Sequence, residues 1–272
     1  MSDKVRLSPR RRTYPRFPSM PKFAARPKNK NRVVSFESIG YCVKSAERQG
    51  EGKMIILYNQ HWDVIPGKEE AYTKFVLDKH LPTMKKIGIN MVGGFLVVVG
   101  LGPRITAVGA VDSFQKLQKA LETEEFEKIT VEIQQYVVNY DSRILKPTGR
   151  VKVNKYSIQL GVWKFNQYYD IIAGREKEYT KFVLEDHLPT MEKLGIKMTG
   201  GWRVVVGSGP HIVAEGTAAS IVEIAKAIET PEFSRVTKSL TSNYVTNYSS
   251  RILAPTGRID LPFIIGEMMK SF

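Results

Sequence analysis

The chain has 272 residues, of which 42% are hydrophobic and 10% aromatic, and this is enough apolar material for an ordinary folded core. Its single cysteine excludes an internal disulfide and a metal site of clustered cysteines, and it is consistent with a reducing compartment. The formal net charge of +14 is uneven, because residues 1–50 carry thirteen Lys or Arg and three acids, a balance of +10.

The predicted elements begin with a basic, Pro- and Arg-rich N-terminal extension over residues 1–52. Prolines at positions 9, 15, 18, 21 and 27 oppose the amphipathic helix of an organellar presequence, and the apolar core of a signal peptide is missing. We therefore expect a retained arm on a cytoplasmic protein with no membrane span. An organellar presequence stays open as the alternative.

The positive charge of this arm suits RNA, anionic lipid or an acidic protein surface, because Lys and Arg side chains neutralise carboxylates and phosphates. The alternative is a solubilising tail, or an arm that packs on its own domain or on a neighbour. The predicted partner-binding residues are Arg10, Arg11, Arg12, Arg16, Lys28, Lys30 and Arg32.

An internal duplication dominates the rest of the chain. The segment KFVLDKHLPTM at 74–84 returns as KFVLEDHLPTM at 181–191, and the first copy's GGFLVVVGLGP and SRILKPTGR return as GGWRVVVGSGP and SRILAPTGR. We interpret the chain as two homologous units, 53–152 and 153–262, followed by a short tail over 263–272.

Within the first copy the hydrophobic periodicity predicts six elements. A β-rich run at 54–62 precedes a helix whose apolar positions recur every three or four residues. A hairpin of two strands follows, and then a second helix that breaks and restarts at Thr123, a good N-cap residue. A last strand is predicted over 131–145. The second copy repeats the order, with its first strand within 159–169 and its helix restart at Thr230.

The order β-α-β-β-α-β is that of a ferredoxin-like unit of the α+β class, a four-stranded antiparallel sheet with both helices on one face. The other face of such a sheet needs a cover, and a second sheet of the same kind provides one. We therefore predict that the two fused units form an intrachain, pseudo-dimeric α/β barrel.

The sequence resembles the dimeric α/β-barrel superfamily, and within it NIPSNAP-like domains. The resemblance rests on the PGK…Y…F…HLP…GI helix segment, the GG-VVVG-GP hairpin and the SRIL-PTG ending, and it covers about residues 53–258. Thr-Gly-Arg stands where such domains tend to have Ser-Pro-Leu. The resemblance implies a superfamily that includes haem-degrading and cofactor-free monooxygenases, polyketide cyclases and tandem-repeat haem enzymes, and the fold does not choose among them.

Two histidines are the candidate catalytic residues. His80 and His187 occupy the same position of the duplicated helix, on its apolar face, where an imidazole can serve as a general base, a proton relay or a haem ligand. The structural alternative is a partly buried histidine that bonds a backbone carbonyl freed by Pro82, since proline lacks an N–H.

The first strand of each copy supplies candidate ligand-binding residues. Strand alternation directs one amide of each Asn-Gln pair into the space between the sheets, and the alternative is amides that pair with edge groups or face water. Copy-to-copy differences, such as Phe95 against tryptophan, suit either a specialised pocket or drift. The predicted ligand-binding residues are Asn59, Gln60, His61, Asn166, Gln167, Tyr168 and Trp202.

Two functions are consistent with these patterns. The first is a small-molecule-binding barrel, monooxygenase-like, with its pocket between the two sheets and His80 or His187 transferring protons. The second is a non-catalytic assembly or scaffold subunit that docks on an acidic protein complex or RNA through its basic arm. Motifs for metals, dinucleotides and phosphate loops are missing, so we predict no metal site and name no cofactor. Whether the chain is an enzyme stays open, and either function allows a homo-oligomer.

Overall fold

The computed structural model describes residues 54–153, 156 and 161–255. The predicted extension, its partner-binding arginines and lysines, and the predicted tail lie outside the described residues. The exact unit boundaries drawn from the duplication stay predictions, although both copies of the element order fall within the described part.

The first copy folds as a strand, a helix in three parts, a hairpin, a broken helix and a final strand. Its elements are β1 (Ile56–Val64), α1 (Glu69–Phe75), a first π-helical turn (Val76–His80), α2 (Leu81–Lys86), β2 (Asn90–Val99), β3 (Ile105–Val111), α3 (Phe114–Leu121), α4 (Glu124–Ile133) and β4 (Val137–Pro147).

The second copy repeats this order. Its elements are β5 (Trp163–Ile171), α5 (Glu176–Phe182), a second π-helical turn (Val183–His187), α6 (Leu188–Lys193), β6 (Lys197–Val206), β7 (Ile212–Ala218), α7 (Ile221–Ile228), α8 (Pro231–Asn243) and β8 (Val245–Pro255).

The strands form one closed antiparallel ring in the order β1-β3-β2-β8-β5-β7-β6-β4. Each copy contributes a sheet of its own strands, and the two sheets join where β2 pairs with β8 and β4 pairs with β6. The register repeats as well, because Asn59 lies opposite Val108 in the first copy and Asn166 opposite Glu215 in the second. The predicted pair of ferredoxin-like units, closed on each other within one chain, is confirmed.

Alternation along the strands separates a helix-facing core from an inter-sheet core. In β1, Tyr58 and Trp62 share a buried cluster with the helix residues Phe75 and Leu117. Leu57 lies on the opposite face of the same strand and packs in a different cluster, which combines residues of both sheets. The helices therefore cover the outside of the ring, and the inter-sheet core fills its interior.

The helix that carries the duplicated motif contains a π-helical turn, which has one extra residue, just before its proline. Pro82 cannot donate the bond that an α-helix would direct to Asp78, and the chain responds with a π-helical turn in which the Leu81 N–H bonds the Val76 carbonyl. The turn ends at His80, so the proline and the histidine belong to the same local distortion. The second copy has the same turn, ending at His187.

The last strand of the first copy starts later than predicted. Residues 131–133 belong to α4, and β4 begins only at Val137. The reason is that Phe126, Ile129 and Ile133 keep a helical spacing on the buried face, and this periodicity outweighs the β-branched residues nearby.

The predicted helix breaks are confirmed at both threonines. Thr123 and Thr230 have extended backbones, and their hydroxyls accept the N–H groups of Phe126 and Phe233 at 3.2 and 3.1 Å. Each threonine thus caps the helix that follows it.

Candidate functional site

Strand alternation decides which side chains of β1 enter the interior of the ring. Asn59 and His61 line the inter-sheet cavity. Gln60 points to the helix side, where its Nε2 donates to the Tyr140 hydroxyl at 2.7 Å. The predicted amide pair is therefore divided between two different layers.

The second copy divides its amides in the same way. Asn166 and Tyr168 line the inter-sheet cavity, whereas the Gln167 Nε2 donates to the Tyr248 hydroxyl at 2.9 Å on the helix side. The predicted ligand-binding residues that the interior brings together are Asn59, His61, Asn166, Tyr168 and Trp202. Their role in binding stays a prediction.

The interior of the ring is filled. The inter-sheet cavity lined by these residues measures about 20 Å³, and a volume of roughly 10–15 Å³ is needed for one water molecule. Large side chains occupy the space, with Trp202 and Phe95 each 1% exposed. An organic molecule therefore needs a side chain to leave before it can enter.

A buried ion pair lies in this interior. The Lys164 Nζ is 2.7 Å from Glu215 Oε2, and the two side chains are 6% and 8% exposed. Burial lowers the pKa of Lys164, and the neighbouring Glu215 carboxylate offsets part of that shift. The ammonium also lies 4.1 Å from the centroid of the Phe95 ring, a cation–π contact.

Tyr156, from the connection between the two copies, completes the ion pair. The Lys164 Nζ donates to its hydroxyl at 2.6 Å, and the hydroxyl donates to Glu215 Oε2 at 3.0 Å. Its ring meets Trp202 edge to face at 5.5 Å between centroids. Burial, with the Glu215 charge, holds the pKa of Tyr156 well above its ordinary value, so the hydroxyl is protonated and able to donate.

The first copy has an apolar version of the same place. In the duplicated alignment, Lys164 corresponds to Leu57 and Glu215 to Val108. Leu57 and Val108 are also buried between the sheets, at 1% and 2% exposure. The fold therefore accommodates an aliphatic pair at these positions, and the charges are a property of the second copy.

Three further polar atoms in the interior have no hydrogen-bond partner among the described residues. Within the described residues, the Asn59 Oδ1, the Asn166 Oδ1 and the Trp202 Nε1 are buried and make no hydrogen bond. A buried polar atom without a partner costs about 1–3 kcal/mol. Such atoms need an explanation, and a bound water or ligand group is one.

The predicted catalytic histidines do not belong to this interior. His80 and His187 are 2% and 1% exposed, on the helix-facing side of the sheets, and the His80 ring lies 6.1 Å from that of Trp62. The structure therefore does not bring them together with the interior asparagines. The sequence suggested one pocket lined by first-strand amides and a histidine. In the structure the interior asparagines and these histidines lie on opposite faces of the sheet.

Both histidines are neutral at physiological pH. Burial lowers the pKa of His80 from its ordinary 6.5 to about 4. Burial lowers the pKa of His187 to about 4 as well, against a small opposing effect of Asp186. Within the described residues the His80 Nε2 and both ring nitrogens of His187 make no hydrogen bond. The expected bond from imidazole to a freed carbonyl is therefore missing at His187.

A second cavity, also of about 20 Å³, lies beside His80. It is bounded by the π-helical turn and by the sheet, and Trp62 and Tyr72 form one wall, joined by a 2.9 Å hydrogen bond from the indole N–H to the hydroxyl. Neither this cavity nor the inter-sheet one is large enough for haem. No group of three His, Cys, Asp or Glu among them is placed to hold a metal ion.

His61 is the third buried histidine, and it faces the interior. Burial lowers its pKa well below the ordinary value, and the guanidinium groups of Arg143 and Arg251 add to the effect. Its Nδ1 lies 3.0 Å from the Thr106 Oγ1.

None of the helices in residues 54–255 that the structure describes is long and apolar enough to span a membrane.

No protein-family model matches the chain, and no curated protein matches it either.

Solved structures do match, at low sequence identity. A mutant chlorite dismutase from Candidatus Nitrospira defluvii has a TM-score of 0.52 and 9% identity, over 80% of this chain and 98% of its own. A provisionally named monooxygenase from Fusobacterium nucleatum has a TM-score of 0.51 and 12% identity, over 75% of this chain and 94% of its own. A NIPSNAP family protein from Agrobacterium tumefaciens is 20% identical, over 35% of this chain and 94% of its own, with a TM-score of 0.29.

The chain therefore has the dimeric α/β-barrel fold, formed within one polypeptide. This confirms the predicted fold. The narrower likeness of each repeat to NIPSNAP domains stays a prediction, because a TM-score of 0.29 is too low to support it.

Sequence reasoning missed Lys164, Glu215 and Tyr156. A charged residue in a strand is normally placed towards solvent, and nothing within the second copy alone marks these two as buried. A comparison of the two copies could have found them. The second copy has lysine where the first has Leu57 and glutamate where the first has Val108, so two opposite charges replace two aliphatic residues.

Proposed function

We propose that this chain is a small-molecule-binding α/β barrel whose ligand site lies between the two sheets, at the Lys164–Glu215 pair. One observation carries the proposal: the pair is buried in the second copy at positions where the first copy has Leu57 and Val108. The fold does not need charges there, so their presence calls for a role other than closing the barrel.

The energetics favour a role in binding over one in stability. A buried ion pair gains little over a well-packed aliphatic pair, and replacing such a pair is often neutral or stabilising by about 1–4 kcal/mol. The unpaired Asn59, Asn166 and Trp202 atoms add further cost at the same place. Polar groups kept in an interior at a cost are typical of sites that orient a ligand.

The test replaces the pair by the residues of the first copy. The double variant Lys164→Leu, Glu215→Val is expected to fold, because removing the cost of burying the charges offsets the roughly 1–3 kcal/mol cost of leaving the Tyr156 hydroxyl without these partners. Ligand-observed NMR with phenol, benzoate and benzylamine then compares the two proteins at millimolar probe concentration. At least one probe is expected to bind the wild type and to lose its binding in the double variant.

Two outcomes would contradict the proposal. Equal binding of every probe to the wild type and to the double variant would place binding elsewhere. A stable double variant together with no binding of any probe to the wild type would leave the pair without a ligand role.

Monooxygenase-like chemistry is a second candidate, and it requires the cavity beside His80, now about 20 Å³, to widen before an organic substrate can reach the imidazole. The support is a buried imidazole whose Nε2 makes no hydrogen bond within the described residues and which, as the Nδ1–H tautomer, can accept a hydrogen bond from a substrate hydroxyl. Oxygen uptake with hydroquinone as the probe is expected to be faster for the wild type than for His80→Gln. Equal uptake by both proteins would remove this candidate.

The alternative of an assembly or scaffold subunit rests on the +10 balance of residues 1–50. Electrostatic docking on an acidic protein or on RNA predicts that deleting residues 1–50 abolishes co-purification with the partner while residues 54–255 stay folded. Unchanged partner recovery after the deletion would refute it.

A further inference from the structure

The chain's own Tyr156 is bound in the interior in the way that a ligand would be. It is 8% exposed, and it reaches the centre of the second copy's ion pair from the connection between the repeats, not from a strand or helix. Its contacts there come from separate elements: Lys164 of β5, Trp202 of β6 and Glu215 of β7.

The polar end of this arrangement selects a hydroxyl group. The oxygen accepts a hydrogen bond from the Lys164 ammonium and donates one to the Glu215 carboxylate. A carboxylate in its place can accept but would face Glu215 with like charge, and an amine can donate but would face Lys164. A methyl group satisfies neither partner. Of these groups only a hydroxyl satisfies both.

The remaining contacts select an aromatic ring. The Trp202 indole meets the Tyr156 ring at 79° between planes, the edge-to-face geometry that aromatic pairs prefer. The Lys164 ammonium also lies 4.9 Å from the centroid of the Tyr156 ring. The Glu215 carboxylate is held from its other side by the Thr199 hydroxyl at 3.4 Å.

We propose that the interior of the second copy is a binding site for a phenolic ring, and that Tyr156 occupies this site in the structure. The inference rests on the proposed function and names its ligand class. An external phenol competes with Tyr156, and its apparent affinity for the wild type is lowered by the fraction of molecules in which the tyrosine has left the site.

Among the described residues, the first copy lacks the polar partners of this site. Leu57, Val92 and Val108 stand where the second copy has the lysine, the threonine and the glutamate, so a phenol hydroxyl would find no partner among them. The pseudo-symmetric barrel is therefore expected to take one phenolic ligand, in the second copy only.

The test uses the full chain with Tyr156→Ala, which vacates a space the size of a phenol ring. A cavity of about 150 Å³ in a protein core is known to bind benzene. Hydrogen bonds to charged groups are each worth roughly tenfold or more in affinity, so phenol is expected to bind this variant at least about tenfold more tightly than toluene. Calorimetry and the ligand-induced rise in Tm measure the preference.

Two controls separate a phenol site from a simple cavity. Tyr169→Ala removes another buried tyrosine, from the helix-facing core, whose hydroxyl meets the neutral Tyr179 hydroxyl and no ion pair, so its preference for phenol over toluene is expected to be smaller than that of Tyr156→Ala. Adding Lys164→Leu and Glu215→Val to Tyr156→Ala is expected to abolish the preference for phenol while the cavity remains.

The outcomes distinguish this inference from the proposed function. If Tyr156→Ala binds toluene as tightly as phenol, the phenolic inference is wrong, and the proposed function survives only if benzoate or benzylamine binding depends on the ion pair. If no probe binds the folded variant, both are wrong. If Tyr156→Ala does not fold alone, refolding of this variant by phenol but not by toluene supports the inference. If neither compound refolds it and Tyr156→Leu shows no preference for phenol over toluene, the inference is overturned.

Discussion

The two buried histidines of the helix-facing layers make a quantitative prediction about acid. His80 and His187 have pKa values of about 4 in the folded chain, against about 6.5 when unfolded. As the pH falls, the unfolded state binds these protons first. The stabilising contribution is therefore fully present above about pH 6.5, and it is lost progressively down to about pH 4.

The magnitude follows from the two pKa values. Between about pH 7.5 and pH 5, each histidine is expected to remove about 2 kcal/mol from the free energy of unfolding, and both together about 4 kcal/mol. The aromatic rings of Phe75 and Phe182 face the two imidazoles at 6.3 Å, and Asp186 beside His187 only partly opposes the effect of burial.

Urea unfolding at the two pH values measures the effect. His80→Gln and His187→Gln are each expected to lose about 2 kcal/mol less than the wild type on acidification, because glutamine does not titrate. Other groups with lowered pKa values, such as His61 and Asp170, also lower the free energy of unfolding on acidification. Their effect is the same in all three proteins and cancels in the comparison. If the glutamine variants lose as much as the wild type does, the imidazoles are not buried as described.

Three further variants test the packing and the local backbone by urea unfolding. Met191→Ala empties a site of 0% exposure, and a loss of about 2–5 kcal/mol is expected, whereas Met191→Leu should lose less than about 1.5 kcal/mol. Thr230→Ala removes the cap of α8 and is expected to lower the free energy of unfolding by about 1 kcal/mol. Thr230→Ser should keep most of that stability. An unchanged free energy of unfolding in Thr230→Ala would mean that the cap does not stabilise α8. Asn247 has φ 54° and donates to Asp170 at 2.8 Å, so Asn247→Ala should cost about 1–2 kcal/mol. Asn247→Gly should cost less than the alanine variant, and the reverse order would contradict the role of the backbone.

The fold could be predicted because the sequence contains the same pattern of strands and helices twice. Alternation in β1 and β5 and helical spacing around His80 and His187 repeat at matched positions, and a sheet that packs helices on one face needs a cover for the other. The start of β4 was placed too early because the β-branched Val131 lies in the last turn of α4. Residue preference is a weaker guide there than the spacing of the buried positions.

The candidate site was only partly predictable. Alternation identified Asn59 and Asn166 as possible interior residues, but it could not choose between each asparagine and the neighbouring glutamine. The choice depends on the register in which β1 pairs with β3 and β5 with β7, and this is set by contacts distant in sequence. The role of Tyr156 could not be foreseen, since it lies in a connection with no periodicity.

The closure of the ring limits how this chain can associate with other copies. Every strand, from β1 to β8, has hydrogen-bonded neighbours on both sides, because β2–β8 and β4–β6 join the edges that a single repeat would leave open. A separate repeat would need a partner chain to satisfy those edges, whereas the fused pair satisfies them internally. Self-association through residues 54–255 that the structure describes therefore cannot extend the sheet, and it has to use side chains on the helices and loops.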